Sequence, residues 1–412
     1  MNAATIWKTP GETGGSNFIG CTRTEKRKFT RRHRRELLTP IEIEVVRALA
    51  VKSKGAPGPD GYTWKRLKNN TKAEELASFF NLWLLCGRLP TMICEGRTTL
   101  VPKVVGTKDP SEFRPVTVCS VFTRLFHSIL GSRLERLLPI SQRQKGFRKG
   151  DGIFLNSLTL QRCIADAKAN RKNLRVAFID LRKAFDSVGH DALWTSCRKL
   201  GVPEHFIKYC HNFYRNSSTR IVLDEKLSQP IRSRRGIKQG DPMSVHLFNA
   251  VVDYCTDKLR KDIGFTFGDE KLQFLAFADD LVNLSEDCAG LRVNCNLVAE
   301  QFSLAGLKAN PAKCATLNIK VLRGTWVCDD RPFLEIAGTK VTVLSVVDTY
   351  KYLGVQIGSM NLGTNPTKSL ESAVKKLSKA PLKPQQRLFL LRTFVIPKFT
   401  MHSFCHLQQV KC

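Results

Sequence analysis

Three features that the sequence lacks or has little of limit the classes of function it can have: it has no long apolar run, no paired cysteine motif and few acidic residues. No stretch approaches the roughly 18 consecutive apolar residues that cross a bilayer, and the N-terminal residues MNAATIWKTPGETGG contain no signal-peptide core. Only 36 of the 412 residues are Asp or Glu, against 66 Lys and Arg, so the formal net charge is +30. These features argue against a membrane partner and favour a polyanionic partner, for which nucleic acid is the leading candidate.

Fourteen cysteines are present, but no two have the Cys-x-x-Cys spacing of a zinc or redox site. They are scattered between Cys21 and Cys412, which is atypical of a disulfide scaffold. We therefore expect mostly buried, unreactive thiols in a reducing compartment. The histidines His127, His190 and His246 likewise lack a partner pattern, and we expect structural roles for them.

The composition indicates a folded protein with a basic segment near its start. An apolar fraction of 42% and a charged fraction of 25% are ordinary globular values, and the length allows two or three subdomains. Residues 1–40 have little apolar periodicity and are predicted to form a basic, flexible leader. Its segment EKRKFTRRHRRE suits a nuclear-localisation signal or a phosphate-contacting arm, and a solvated helix face explains it equally well.

Apolar periodicity predicts mixed helices and strands without an internal repeat. The predicted helices are residues 40–52, 72–86, 121–138 and 290–305, and the predicted strands are residues 98–104, 174–181 and parts of 340–357. Residues 271–285, KLQFLAFADDLVNLS, have the pattern of a tight hairpin with two apolar arms. The sequence therefore predicts a body of helices and antiparallel strands.

The strongest chemical signal is a set of aspartates at the ends of two predicted strands. Asp180 ends the buried run LRVAFID, and Asp279 and Asp280 occupy the predicted hairpin turn. If the two strands lie side by side, the carboxylates meet at one rim and repel each other, and a divalent cation relieves that repulsion. Oxygen ligands of this kind suit Mg²⁺, and two such ions support phosphoryl transfer. The alternative is that Asp-Asp merely serves the turn.

Eight segments then occur in one order: GAPGPDG, LVPKVVGTKDPSEFRPVTVCS, QKGFRKGDG, VAFIDLRKAFDSVGHDAL, RRGIKQGDPMSVHLFN, FLAFADDLV, AGLKANPAKC and YKYLGVQI. Together they resemble the reverse transcriptases of non-LTR (LINE-type) retrotransposons, from about residue 41 onward. The segment SKAPLKPQQRLFLLRTFVIPK is similar to the thumb of the R-two clade, whose elements insert into large-subunit ribosomal RNA genes. The resemblance implies an RNA-directed DNA polymerase that adds deoxynucleotides to a DNA 3′-hydroxyl.

The resemblance also implies a fold, a set of partners and a location. The fold would be α+β, a right-hand polymerase with an antiparallel palm sheet. Its parts would be fingers at residues 41–175, a palm at residues 176–358 and a partial helical thumb at residues 359–412. The partners would be an RNA template, a DNA primer or target and dNTPs, and the location would be the nucleus.

For the chemistry, the resemblance makes Asp180, Asp279 and Asp280 the catalytic metal ligands. They would hold two Mg²⁺ ions, with Mn²⁺ as the expected substitute. Phe185 matches the aromatic residue under the incoming sugar, where a ring excludes a 2′-hydroxyl; an ordinary core phenylalanine is the alternative.

The remaining matches concern the nucleotide and the primer. Lys103 and Arg114 match residues that grip the triphosphate. Gln239 and Gly240 match a turn beside the nascent base pair, where glycine allows close backbone approach. Lys313 matches a lysine proposed to assist pyrophosphate departure, with a solvated lysine as the alternative. The primer-grip hairpin is matched by Tyr352, Leu353 and Gly354.

Departures from the family pattern keep a second hypothesis open. Val245 and His246 stand where proline and an aliphatic residue are usual, and Asn283 places an amide on a buried strand, which costs stability unless it is hydrogen-bonded. Compared with an intact R-two element, the chain also looks truncated at both ends, without the DNA-binding modules, full thumb, zinc knuckle and endonuclease. The second hypothesis is a catalytically weak or inactive nucleic-acid-binding remnant; an intron-type maturase is disfavoured by the thumb segment.

Overall fold

The computed structural model describes residues 29–51, 55–223, 226–360 and 366–396. Most of the predicted leader lies outside these residues, including Lys26, Arg27 and Lys28 of its basic segment. Within the leader, Arg31–Leu38 forms a helix whose Leu37 is fully buried. Glu36 of this helix forms an ion pair of 2.8 Å with Arg136, so this part of the leader packs on the body.

Helices account for more of the described residues than strands do. The α-helices, named α1 to α14 in chain order, are Arg31–Leu38, Ile43–Val51, Trp64–Asn70, Ala73–Cys86, Thr91–Cys94, Val121–Leu137, Gly152–Ala169, Ala184–Ser187, His190–Leu200, Glu204–Asn216, Ser244–Thr256, Cys288–Leu304, Pro366–Lys379 and Pro384–Leu390. The predicted helices at 72–86 and 121–138 are confirmed as α4 and α6 to within one residue.

The strands are shorter and more numerous than predicted. Named β1 to β16, they are Gly96–Pro102, Phe113–Cys119, Leu174–Ile179, Thr219–Leu223, Lys226–Leu227, Phe265–Phe267, Glu270–Leu272, Phe274–Phe277, Asp280–Ser285, Ala315–Leu322, Thr325–Cys328, Glu335–Ile336, Thr339–Lys340, Thr342–Val343, Thr349–Tyr352 and Val355–Gly358. The predicted strand at 98–104 ends two residues early, which leaves Lys103 just beyond it.

The larger sheet has the strand order β11-β10-β3-β9-β8, with β14 added beside β10. All its pairs are antiparallel except β10 with β14. Every residue of β3 is buried, as predicted for a strand covered on both faces. Val176 and Phe178 join the core that includes Leu160 of α7, whereas Ala177 and Ile179 join the core on the other face.

The smaller sheet has the strand order β2-β1-β4-β5. Strands β1 and β2 form an antiparallel hairpin, and β4 joins β1 in parallel. This sheet thus combines residues from the predicted fingers and the predicted palm, and the proposed boundary between them falls within β3. The three-part division stays a prediction. Antiparallel sheets with separate helices confirm the α+β class.

The described cysteines bear out the expectation that most of the thiols are buried. Eight of their eleven cysteines are buried, and none of the eleven forms a disulfide. No helix among them is long and apolar enough to cross a bilayer.

Asn283 is a buried polar residue that the structure leaves incompletely paired. It is fully buried on β9, its Nδ2 donates to Cys295 Sγ over 3.5 Å, and its Oδ1 has no hydrogen-bond partner among the described residues. We expect Asn283→Leu to raise the free energy of unfolding by about 1–3 kcal/mol, because an unsatisfied buried acceptor is removed. Urea denaturation measures the change, and a lower midpoint would contradict it.

Candidate active site

The three aspartates meet where β3 and β9 run side by side. Asp180 directly follows β3, and the pairing of Ile179 with Leu281 places Asp180 opposite Asp280, the first residue of β9. Phe277 pairs with Asp280, so the turn between β8 and β9 consists of Ala278 and Asp279. The prediction that Asp280 lies in the turn is therefore wrong. Ala278 has φ of 56° and takes the first turn position instead.

The carboxylates are close enough to affect one another. Burial, together with the smaller effects of the charges of Asp279 and Asp180, raises the pKa of Asp280 to about 6. Burial also raises the pKa of Asp279, again with a contribution from Asp180. Two neighbouring strands therefore hold concentrated negative charge at one rim. A bound cation would relieve this repulsion.

The donor set at this rim fits a magnesium ion that shares a substrate. All three side chains offer oxygen ligands, which Mg²⁺ prefers. Among the described residues, no three His, Cys, Asp or Glu side chains converge into a metal cage of their own. Mg²⁺ typically completes its shell with waters and substrate phosphates rather than a full protein cage, so these aspartates suit that mode of binding.

Tyr350 links Lys313 to the acidic rim, and sequence reasoning did not single it out. Its ring stacks on Phe178 of β3 with centroids 4.3 Å apart, and its hydroxyl donates to the carbonyl of Lys313 over 3.1 Å. Burial raises the pKa of Tyr350, as do the charges of Asp180 and Asp280. The backbone of Lys313, whose side chain is exposed, therefore lies near the acidic rim. Its role at the pyrophosphate stays a prediction.

Phe185 lies in an aromatic stack beside the site. Its half-buried ring stacks on Phe248 with centroids 4.5 Å apart, and Phe147 meets it edge-on at 5.9 Å. Its carbonyl accepts a hydrogen bond of 2.7 Å from the Ile237 N–H, just before the Gln239 turn. The ring is thus fixed against the helix α11 and remains partly accessible.

The Gln239 turn lies against strand β2. The Gln239 carbonyl accepts the Thr117 N–H at 2.8 Å, and its Nε2 donates to Asp186 Oδ1 at 2.8 Å. Gly240 has φ of 109°, and a Cβ there would stand 2.5 Å from the Thr117 carbonyl oxygen. Only glycine fits this position, because its backbone lies against that of Thr117. The close approach to a nascent base pair stays a prediction.

The next residue, Asp241, anchors this turn through a buried network. His127 Nδ1 bonds to its Oδ1, and His127 Nε2 bonds to the Tyr209 hydroxyl at 2.6 Å. Ser244 donates its N–H and hydroxyl to Asp241 Oδ2 at 2.9 and 2.7 Å. Burial opposes ionisation of Asp241, but His127 and Ser244 outweigh it and lower the pKa below its usual value. The structural role expected for His127 is therefore to hold the Asp241 carboxylate that anchors the Gln239 turn.

Lys103 and Arg114 lie together at one end of the β1–β2 hairpin. Arg114 is paired with Val101 of β1, and the Lys103 N–H donates to the Glu112 carbonyl at 2.8 Å. Both residues are exposed. Their sheet is not the one that carries the aspartates, so their convergence on one nucleotide stays a prediction.

The predicted primer grip is a hairpin beside β3. Tyr352 and Val355 pair across a two-residue turn in which Leu353 and Gly354 have φ of 48° and 85°. Two successive positive φ values are typical of a type I′ turn. Tyr352 is buried, and its ring lies 6.0 Å from that of Phe178. The turn is thus held on the strand that positions Asp180.

Aspartates at the end of a central antiparallel sheet, with the Gly240 turn and the partly accessible Phe185 ring nearby, form the arrangement expected of a right-hand polymerase. The reverse transcriptase (RNA-dependent DNA polymerase) family matches residues 102–357. The chain belongs to that family, whose members generally use divalent metal ions. The matched range contains every site residue predicted from the sequence.

Curated relatives place the similarity within retrotransposons. A retrovirus-related Pol polyprotein from the type-1 retrotransposable element R2 of Popillia japonica is 36% identical over 346 residues, covering 83% of this chain and 48% of that protein. One from the type-2 element R2DM of Drosophila melanogaster is 35% identical over 361 residues, covering 87% and 34%. The chain thus spans about half or less of the length of these relatives. The resemblance to R-two elements is confirmed.

A solved apo telomerase from Candida tropicalis is similar only distantly. It aligns with a TM-score of 0.39 and 15% identity, over 58% of this chain and 56% of that chain. This likeness is too weak to inform the site.

Proposed function

We propose that the chain is an RNA-directed DNA polymerase of a non-LTR retrotransposon. In the proposed reaction, the primer 3′-oxygen attacks the α-phosphorus of a dNTP, the bond to pyrophosphate breaks, and the hydroxyl proton leaves to water. The observation that carries the proposal is the strand register that sets Asp180 opposite Asp280, with Asp279 beside them, in a chain of the reverse transcriptase family.

Asp180, Asp279 and Asp280 would hold two Mg²⁺ ions, which would neutralise the triphosphate and favour the attacking and leaving oxygens. Lys103 and Arg114 would bind the outer phosphates from the hairpin. The exposed Lys313 would favour the departing pyrophosphate by its charge.

The chain's other residues would orient the reactants. Gln239 and Gly240 would support the nascent base pair, because their turn is fixed on β2 and by Asp241. The hairpin turn at Leu353 and Gly354 would hold the primer end near Asp180. A formal charge of +30 supports binding of an RNA template and a DNA primer.

We extend this proposal to target-primed synthesis, in which the primer is nicked chromosomal DNA and the template is the element's RNA. Such a reaction takes place in the nucleus, which agrees with the localisation expected from the basic leader. The similarity to R2 Pol polyproteins supports this extension.

Primer extension with an RNA template, a DNA primer, dNTPs and Mg²⁺ tests the proposal, with Asp279→Ala as control. We expect products from the native protein only. Equal products from both proteins, or none from either, would overturn polymerase activity for this chain. The remnant hypothesis predicts salt-dependent RNA binding with no extension, so a binding titration against salt is run in parallel.

Phe185→Ala is expected to weaken sugar discrimination. Loss of the ring leaves room for a 2′-hydroxyl, so ribonucleotide incorporation should rise relative to deoxynucleotide incorporation by about tenfold or more. Steady-state incorporation of each nucleotide measures the ratio. Phe267→Ala, at another half-buried aromatic on β6, is the matched control. If Phe185→Ala leaves the ratio of ribonucleotide to deoxynucleotide incorporation unchanged, the ring serves only in core packing and not in sugar selection.

A further inference from the structure

A loop before α7 pairs with the edge strand of the large sheet. The Arg143 carbonyl accepts the Ala276 N–H at 2.9 Å, and the Lys145 N–H donates to the Ala276 carbonyl at 2.9 Å. Gln144 therefore forms a parallel bridge with Ala276 of β8. The loop covers the edge of the hairpin that carries Asp279.

The Gln144 side chain reaches the turn itself. It is almost fully buried, with 1% of its surface exposed. Its Oε1 accepts the N–H groups of Ala278 and Gly146, each at 2.9 Å. Its Nε2 donates to the Ala278 carbonyl at 3.3 Å. One side chain thus satisfies both backbone polar groups of the residue before Asp279.

Ala278 needs such support because its backbone is left-handed. Its φ of 56° is costly for a residue with a Cβ, and strained backbone persists where its surroundings over-determine it. Gly146 touches this turn directly, since a Cβ on Gly146 would stand 2.2 Å from the Ala278 nitrogen.

The supporting loop is itself held from two helices. Asn249 Nδ2 of α11 donates to the Gly146 carbonyl at 2.7 Å, and Asn156 Nδ2 of α7 donates to the Ala276 carbonyl at 2.9 Å. Gln144 therefore links the turn to a loop that is itself hydrogen-bonded to α11, next to a strand that is hydrogen-bonded to α7.

We propose that Gln144 is a positioning residue that fixes the Ala278–Asp279 turn and so directs the Asp279 carboxylate toward Asp180. Its catalytic consequence rests on the proposed polymerase function. The stabilisation of the turn by Gln144 does not rest on that function, because it is a property of the folded chain alone.

Amide hydrogen exchange of the metal-free protein tests the brace. Gln144→Met keeps the side-chain volume but removes all three hydrogen bonds. Gln273→Met is the matched control: Gln273 is also buried, accepts from Arg143 and donates to the Lys261 carbonyl at 3.0 Å, but it precedes the other end of β8. We expect exchange in residues 276–281 to accelerate about tenfold or more in Gln144→Met and to remain near native in Gln273→Met.

Primer extension tests the consequence. Where the native protein extends, Gln144→Met should lower the turnover rate by about 10- to 100-fold, as a displaced catalytic group does, while RNA affinity stays unchanged. Gln273→Met should retain the native rate. The same pair is made in an Ala278→Gly background, in which the left-handed backbone is unstrained, so that a folding defect does not obscure the comparison.

The outcomes are separable. Faster exchange at the turn together with slower extension supports the inference. If amide exchange of the turn in Gln144→Met stays at the native rate, Gln144 does not stabilise the turn. If exchange accelerates but primer extension keeps the native rate, Gln144 does not position Asp279 for catalysis. A native protein that fails to extend overturns the proposed function instead, and the exchange measurement still decides the brace.

Discussion

Replacing His127 with leucine is expected to lower the free energy of unfolding by about 3–5 kcal/mol. The fully buried Asp241 carboxylate then loses its hydrogen bond with the His127 ring, although the two bonds from Ser244 remain. The Tyr209 hydroxyl, also buried, loses its hydrogen-bond partner. An uncompensated buried charge is among the most costly single changes in a core.

Urea denaturation of the native protein and four variants decides this expectation: His127→Leu, Asp241→Asn, the double variant and a control. His246→Leu is the matched control, because His246 is half-buried on α11 and burial lowers its pKa, so it is largely neutral. Its loss should cost below about 1 kcal/mol. The double variant His127→Leu, Asp241→Asn should lose less stability than the two single changes added together. Additive losses, or a small loss in His127→Leu, would show that the pair is not coupled.

The same change should also impair nucleotide binding. Asp241 follows Gly240 directly, and Gly240 is already in contact with Thr117. When the carboxylate moves, the turn that presents Gln239 moves with it. We therefore expect a raised KM for dNTP in any His127 variant that folds.

Asp280→Asn should have the opposite effect on stability. At neutral pH and without metal, we expect it to raise the free energy of unfolding by up to about 3 kcal/mol, because it removes a buried charge next to Asp279 and Asp180. A carboxyl whose pKa is raised in the folded state stabilises the fold only while protonated. That contribution is lost as the pH rises from about 4 through about 6.

The pH profile provides the check. Native protein and Asp280→Asn should have similar stability below about pH 4 and diverge as the pH approaches neutrality. Adding Mg²⁺ should stabilise the native protein more than the variant. Asp262→Asn is the control, since Asp262 is exposed and its pKa is lowered by Arg260. A variant less stable than the native protein at neutral pH would contradict mutual repulsion at the rim.

Much of the fold could be predicted because its signals are local. The bounds of α4 and α6 follow from apolar periodicity, and the unbroken apolar run of β3 indicates burial on both faces. Family motifs predict roles for the site residues without requiring any contact to be known.

The contacts that hold the site were not predictable in this way. His127 and Asp241 are 114 residues apart, and Gln144 and Ala278 are 134 apart. No periodicity couples such positions, and a buried histidine or glutamine has no distinctive sequence signal. The misplaced Asp280 has a local cause, because Ala278 adopts a left-handed conformation that aspartate or glycine would ordinarily take.

The most direct test of the polymerase assignment is single-nucleotide incorporation opposite each of the four bases in an RNA template. We expect the native protein to add only the complementary deoxynucleotide, the addition to require a divalent metal, and Asp279→Ala to abolish it. Addition that ignores the template base, or that persists in Asp279→Ala, would contradict catalysis by the paired aspartates.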